Sequence, residues 1–243
     1  LGSALQTVRK AVHDGLIGEV TGFQAYATRD LNFLASLFKF LRMPGGGICY
    51  DYGVYYLTAL VSTLGPVDRV AAVVQNKAEK RINTVPDSPE FGQKFDYLNE
   101  SMVHAVMQLK SGVAGTFALN GDANLNDLAY FHIFGTKGTL KLTDPNGFGG
   151  DVVYVPNPLT GEKERVLENT FAYSENSRGV GASEMADAIL TGRKNRAAKE
   201  MAFHVLDTID KIMKSSESGA FEKVESTFTL PDPFTDGRKL MEK

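Results

Sequence analysis

Asp51 and Tyr55 stand four residues apart in the run R-M-P-G-G-G-I-C-Y-D-Y-G-V-Y-Y-L-T-A-L-V, where a glycine turn leads into a segment of helical periodicity. That spacing places a carboxylate and a phenol on one helical face, where the two can grip a single hydroxyl and move its proton. Each residue alone has a plainer reading: Asp51 as a charge suited to a helix start, Tyr55 as a core tyrosine. Arg29, Arg178 and His204 are the candidate substrate contacts. Arg178 precedes a helix start in S-R-G-V-G-A-S-E, where backbone N–H groups collect, and is placed either to hold an oxygen-rich ligand or simply on the surface; His204 lies on the last helix, either facing a cleft or, the plainer reading, in a satisfied core or surface role.

The elements that must position this pair can be read from periodicity. Leu5, Val8 and Val12 predict a first helix with Ser3 as its cap and Gly15 as its stop. Residues 19 to 29 alternate as a strand ending at Arg29, and residues 30 to 43 read as either a short helix or an apolar flap. After the Asp51 helix, Gly65-Pro66 releases the chain into strands that continue to about Val166. Lys110-Ser111-Gly112 and Gly135-Thr136-Lys137-Gly138 mark two hairpins, whose strands must be antiparallel neighbours. Two helices follow, over about 180–190 and 197–218, then a strand near 224–229 and a proline-containing tail. The fold class expected is therefore α+β, a large, mostly antiparallel sheet with helices packed on one face. Strand residues are apolar at both parities, as in Met102, Val103, Ala105, Val106 and Met107. The second face is thus either covered by another copy of the chain or part of a two-sided core.

Composition narrows the function. The chain has 243 residues, 43% of them apolar, with a net charge of -3, a pI near 5.9 and a mean hydropathy of -0.16. Without a basic run or a long apolar stretch, neither a nucleic-acid nor a membrane partner is expected. The single cysteine, Cys49, excludes an internal disulfide and suits a reducing, cytoplasmic setting. His13, His104, His132 and His204 show no metal-ligand spacing, so no metal site is expected. No G-x-G-x-x-G occurs: Tyr50 stands where Gly45-Gly46-Gly47 would need a further glycine, and Glu184 where Gly179-Val180-Gly181 would. Gly45, Gly46 and Gly47 remain as a turn that permits close backbone approach, either to a ligand or to the protein itself.

The run G-G-G-I-C-Y-D-Y-G-V-Y-Y-L-T-A-L-V resembles the Gfo/Idh/MocA oxidoreductases. So do L-Q-T-V-R-K-A-V-H-D-G-L-I-G-E-V before it, F-G-T-K-G-T-L-K-L after it and the closing S-R-G-V-G-A-S-E-M-A-D-A-I-L-T-G-R-K-N-R-A. The resemblance implies that residues 1–243 form the single C-terminal, substrate-binding and oligomerisation domain of such an enzyme, without its N-terminal dinucleotide-binding domain. It further implies an NAD(P)-dependent dehydrogenase acting on a sugar or polyol, with Asp51 matching the family's aspartate and Tyr55 standing where members often carry histidine. NAD or NADP would be the cofactor of the full-length protein, lying near Gly45, Gly46 and Gly47, with none bound by this chain alone. A homodimer or tetramer through the open sheet face is the implied assembly. The alternative is a non-catalytic module of the same fold, used for oligomer formation or small-ligand sensing.

Overall fold

The computed structural model describes residues 1–126, 128–142 and 144–234. The first helix, α1 (Ser3–His13), turns Ala4, Val8 and Ala11 inward. Its cap differs from expectation: Gly2 occupies that position, and the Ser3 hydroxyl instead donates to the Phe148 carbonyl at 3.3 Å. β1 (Val20–Thr28) follows, then α2 (Leu31–Leu37) and a tight turn over Lys39–Arg42, so the helix reading of residues 30 to 43 holds over the first half of that segment. Asp30 caps α2 by accepting the Phe33 N–H at 3.2 Å.

The remaining elements are α3 (Val54–Leu64), β2 (Val67–Gln75), β3 (Lys80–Ile82), β4 (Lys94–Asp96), β5 (Met102–Leu109), β6 (Ala114–Asn120), β7 (Ala129–Gly135), β8 (Gly138–Leu142), β9 (Val152–Pro156), β10 (Arg165–Val166), α4 (Val180–Thr191), α5 (Lys199–Ser218) and β11 (Glu222–Lys223). Among the described residues, nine strands form one sheet in the order β10-β9-β8-β7-β1-β6-β5-β2-β11, with β3 and β4 a separate ribbon. Both expected hairpins are present, as β5–β6 and β7–β8. The last strand is shorter and earlier than the sequence predicts: β11 pairs with β2 through Glu222 and Lys223 only. The tail beyond residue 234 lies outside the described residues.

β1 pairs antiparallel with β7 but parallel with β6, and this is the sheet's one parallel seam among the described residues. A parallel pair needs a long crossover. Here the crossover carries α2 and the Asp51 helix across one face. α1, α3 and α5 pack on that face, burying Phe23, Phe117, Leu119, Val103 and Met107 between helices and sheet. Among the described residues, no helix packs on the opposite face. Tyr26, Tyr130, His132 and Phe134 form a ring ladder there, with centroids 5.6, 4.8 and 6.5 Å apart, while Val73 and Val106 are about half exposed. No helix among the described residues is long and apolar enough to cross a membrane.

Candidate active site

The helix bearing Asp51 starts at Ile48 and is fixed there by Glu100. The Glu100 carbonyl accepts the Ile48 N–H at 3.1 Å, and its carboxylate accepts the Cys49 N–H at 3.1 Å. A carboxylate at a helix start answers the positive end of the macrodipole. Burial pushes the Glu100 carboxyl above its ordinary range, and the amides of Glu100, Cys49 and Tyr50 pull the other way. The glycine turn makes this fit possible. Gly45 has φ +83°, a Cβ at Gly46 would lie 2.6 Å from the Leu41 Cα, and a Cβ at Gly47 would run into the Glu100 carboxylate. The close approach allowed by Gly46 and Gly47 is therefore to Leu41 and Glu100 of this same chain. The side of Gly45 is open, with no atom within 4 Å of where a Cβ would stand, so the turn meets its own chain at Gly46 and Gly47.

Residues Cys49–Gly53 wind as a π-turn before α3 begins, a local widening that is frequent at functional sites. Cys49, Tyr52, Tyr56, Leu57 and Leu60 point into the core, leaving Asp51 and Tyr55 on the outer side of the helix. Tyr55 is 46% exposed. Asp51 is half-buried, and its carboxylate has no hydrogen-bond or ion-pair partner among the described residues. Burial raises its pKa, because the charged form is poorly solvated there. A carboxyl whose folded-state pKa lies above its unfolded value stabilises the fold fully only below the unfolded value, and that stability is lost as pH rises through the folded one. Asp51→Asn is accordingly expected to raise the denaturation midpoint at neutral pH, with the advantage fading towards about pH 4. Urea melts of both proteins at the two pH values check this, and a less stable variant at neutral pH would contradict it.

Behind the outer pair lies a cluster that spacing does not reveal. Asp144, at the start of the β8–β9 loop, accepts the Tyr56 hydroxyl on Oδ1 at 2.9 Å and the Tyr52 hydroxyl on Oδ2 at 3.0 Å. Arg29 Nη2 donates to the same Oδ2 at 3.1 Å, and the Arg29 guanidinium lies 3.8 Å from the centre of the Tyr52 ring. Burial beside the Asp144 carboxylate drives the Tyr56 phenol far above its ordinary range. Arg29 also donates to the Thr28 and Asn126 carbonyls. Its Nη1 and Nη2 donors are thus engaged within its own chain.

The other two expected contacts also stand elsewhere. His204 is fully buried: its Nε2 accepts the Val67 N–H at 2.9 Å, so Nδ1 is the protonated nitrogen and donates to Ser226 Oγ at 2.9 Å. Burial lowers its pKa, as expected for a neutral imidazole bonding α5 to the start of β2. That is the satisfied core role, the plainer of the two readings of this residue. Arg178 is exposed beside Gly179 at the start of α4 and makes no hydrogen bond or ion pair among the described residues, so no contact brings it to Asp51 or Tyr55. A cleft of about 1060 Å³ opens between the α4–α5 connection and residues 228–232, but none of the residues just described around Asp51 lines it. No group of His, Cys, Asp and Glu suited to a metal ion occurs among the described residues.

Residues 5–141 match the GFO/IDH/MocA C-terminal domain. The chain belongs to this family. Solved structures of NAD-linked oxidoreductases share its fold. A levoglucosan dehydrogenase in complex with NADH and levoglucosan matches 92% of this chain over 64% of its own, at a TM-score of 0.73 and 17% identity. An NAD binding oxidoreductase from Klebsiella pneumoniae matches 92% over 65% of its chain, with TM-score 0.70 and 16% identity. An oxidoreductase from Agrobacterium radiobacter, in complex with NAD+, L-tartaric acid and magnesium, matches 92% over 62%, with TM-score 0.66 and 13% identity. The GFO/IDH/MocA domain described here thus spans less than two thirds of the length of these relatives. A comparison with curated proteins returns no match.

Proposed function

We propose that this chain is the substrate-binding and proton-transferring part of an NAD(P)-dependent oxidoreductase that interconverts a hydroxyl and a carbonyl on a sugar or polyol. The observation that carries the reading is Asp51: a half-buried carboxylate without a partner, one helical turn from an exposed tyrosine, on a π-turn. An ionised group left unpaired under partial burial costs stability, and such costs gather where a ligand group completes the pairing. An alcohol gives up hydride readily only as its proton leaves. Tyr55 takes that proton in oxidation and returns it in reduction, while Asp51 accepts a hydrogen bond from the same hydroxyl or its neighbour. A free phenol has a pKa of about 10, so Tyr55 needs a positive charge beside it at the moment of reaction. Arg29 is already committed to Asp144.

The nicotinamide supplies hydride transfer. This chain offers no dinucleotide cradle of its own, since its sequence has no dinucleotide fingerprint and the backbone at Gly46 and Gly47 is packed on Leu41 and Glu100. No measurable heat is therefore expected when NAD+ or NADP+ is titrated into the 243-residue chain alone. Tight binding in that calorimetry would contradict the reading. The test of the function is reduction of NAD+ or NADP+ by the full-length protein across a panel of sugars and polyols. Failure with every member of the panel would sink it. The open sheet face, with its aromatic ladder and exposed Val73 and Val106, supports assembly into a homodimer or tetramer, and this is compatible with catalysis.

A further inference from the structure

Tyr55 is exposed, yet the residues beside it in sequence are among the most constrained in the molecule. Tyr52 and Tyr56 are buried, their hydroxyls lie 3.3 Å apart, and both donate to the one carboxylate of Asp144. The Asp144 carboxylate is itself fixed from two more sides, by Arg29 Nη2 at 3.1 Å and by the Asn146 N–H at 2.9 Å. A helix that needed only to bury apolar surface here would be served by phenylalanines, without the cost of desolvating a carboxylate and a guanidinium. The cluster does more than fill space. Arg29 stacks on Tyr52, and the Tyr52 ring in turn meets the Tyr55 ring at 6.1 Å and 59°.

We infer that Asp144 is a positioning residue for Tyr55: its carboxylate anchors the Tyr52 hydroxyl, and the anchored Tyr52 ring limits the orientations open to the Tyr55 phenol. This rests on the reading of Tyr55 as the proton-transferring group. A reacting oxygen must be held to a fraction of an ångström, and a small displacement lowers the rate without loosening binding. The anchor also reaches away from the helix. The same loop places the Phe148 carbonyl where it accepts the Ala4 N–H and the Ser3 hydroxyl, both at 3.3 Å, so Asp144 links the start of α1 to the Asp51 helix.

Two variants separate this role from simple support of the fold. Tyr52→Phe keeps the ring and removes only the hydroxyl. Asp144→Asn keeps the shape and removes the charge, and with its amide nitrogen in the Oδ2 place it no longer accepts from Tyr52 or Arg29. In the full-length protein, with the sugar of the panel that is turned over, each is expected to lower kcat about tenfold while KM changes less than about twofold. The double variant is expected to lose no more than the worse single one, because both break one path. In the 243-residue chain labelled with 13C-tyrosine, both variants should shift the Tyr55 ring resonances and weaken its cross-peaks to residue 52. Unchanged Tyr55 resonances in both variants would overturn the positioning role whatever the activity. Absence of activity in the unmodified full-length protein would overturn the catalytic reading instead, leaving the spectra to decide the geometry. Should Asp144→Asn fail to fold, Tyr52→Phe alone carries the comparison.

Discussion

Tyr55→Phe in the full-length protein lowers turnover by about two to four orders of magnitude, the span expected when a positioned acid or base is removed. The effect should fall on kcat, because the ring remains and the phenyl group still occupies the same place on the helix. The fold should be untouched: the Tyr55 side chain is exposed and lies outside the Asp144 hydrogen bonds that hold Tyr52 and Tyr56. Steady-state kinetics with the sugar that gives the largest signal, alongside circular dichroism and a thermal melt, check both halves. A variant with full turnover would remove the proton-transfer role from Tyr55. Asp51 would then remain a strained carboxylate in need of another explanation.

Asp122→Ala destabilises the fold by about 3–5 kcal/mol, the usual cost of removing one partner of a buried ion pair. Arg81 is 1% exposed, and Asp122 Oδ1 accepts from its Nη2 at 2.6 Å while Oδ2 accepts the Ser101 hydroxyl at 2.7 Å. Without Asp122 the guanidinium stays in the interior with no counter-charge. Its Nε already lacks a hydrogen-bond partner among the described residues, so little is left to compensate. The consequence reaches the site. Arg81 lies 4.5 Å from the centre of the Tyr97 ring, whose hydroxyl donates to the Gly46 carbonyl at 3.4 Å, behind the glycine turn. Urea denaturation measures the loss, and the double variant Arg81→Met, Asp122→Ala should recover part of it, since an apolar pair leaves no charge unpaired. A single variant as stable as the parent would show that water reaches Arg81 in solution.

Local pattern made much of this molecule legible. The α1 stripe and the β5–β6 and β7–β8 turns are short-range features, and each element forms where its residues ask for it. Asp51 and Tyr55 were visible because helical spacing is itself a geometric statement. What remained hidden depends on residues far apart in sequence. Asp144 sits in D-P-N-G, which reads as a turn, and nothing in the chain marks it as the acceptor for phenols about ninety residues away. Glu100 was equally silent, although it decides why Gly47 must be glycine. For His204 the plainer reading of a satisfied core residue is the one observed, but its partner, the backbone N–H of Val67, is equally distant in sequence. The π-turn has no sequence signature, and the parallel β1–β6 pairing could not be told from another antiparallel neighbour.

That seam also shapes how the chain reaches its native state. Phe23 meets Gly115 and Thr28 meets Asn120, partners roughly ninety residues apart, and the Asp51 helix lies within the loop they close. Local hairpins zip early at small entropic cost, but this closure must await a distant encounter. The Asp51 helix is consequently docked late, when the sheet's two halves join, and a partly folded chain carries intact hairpins before that helix has its packing.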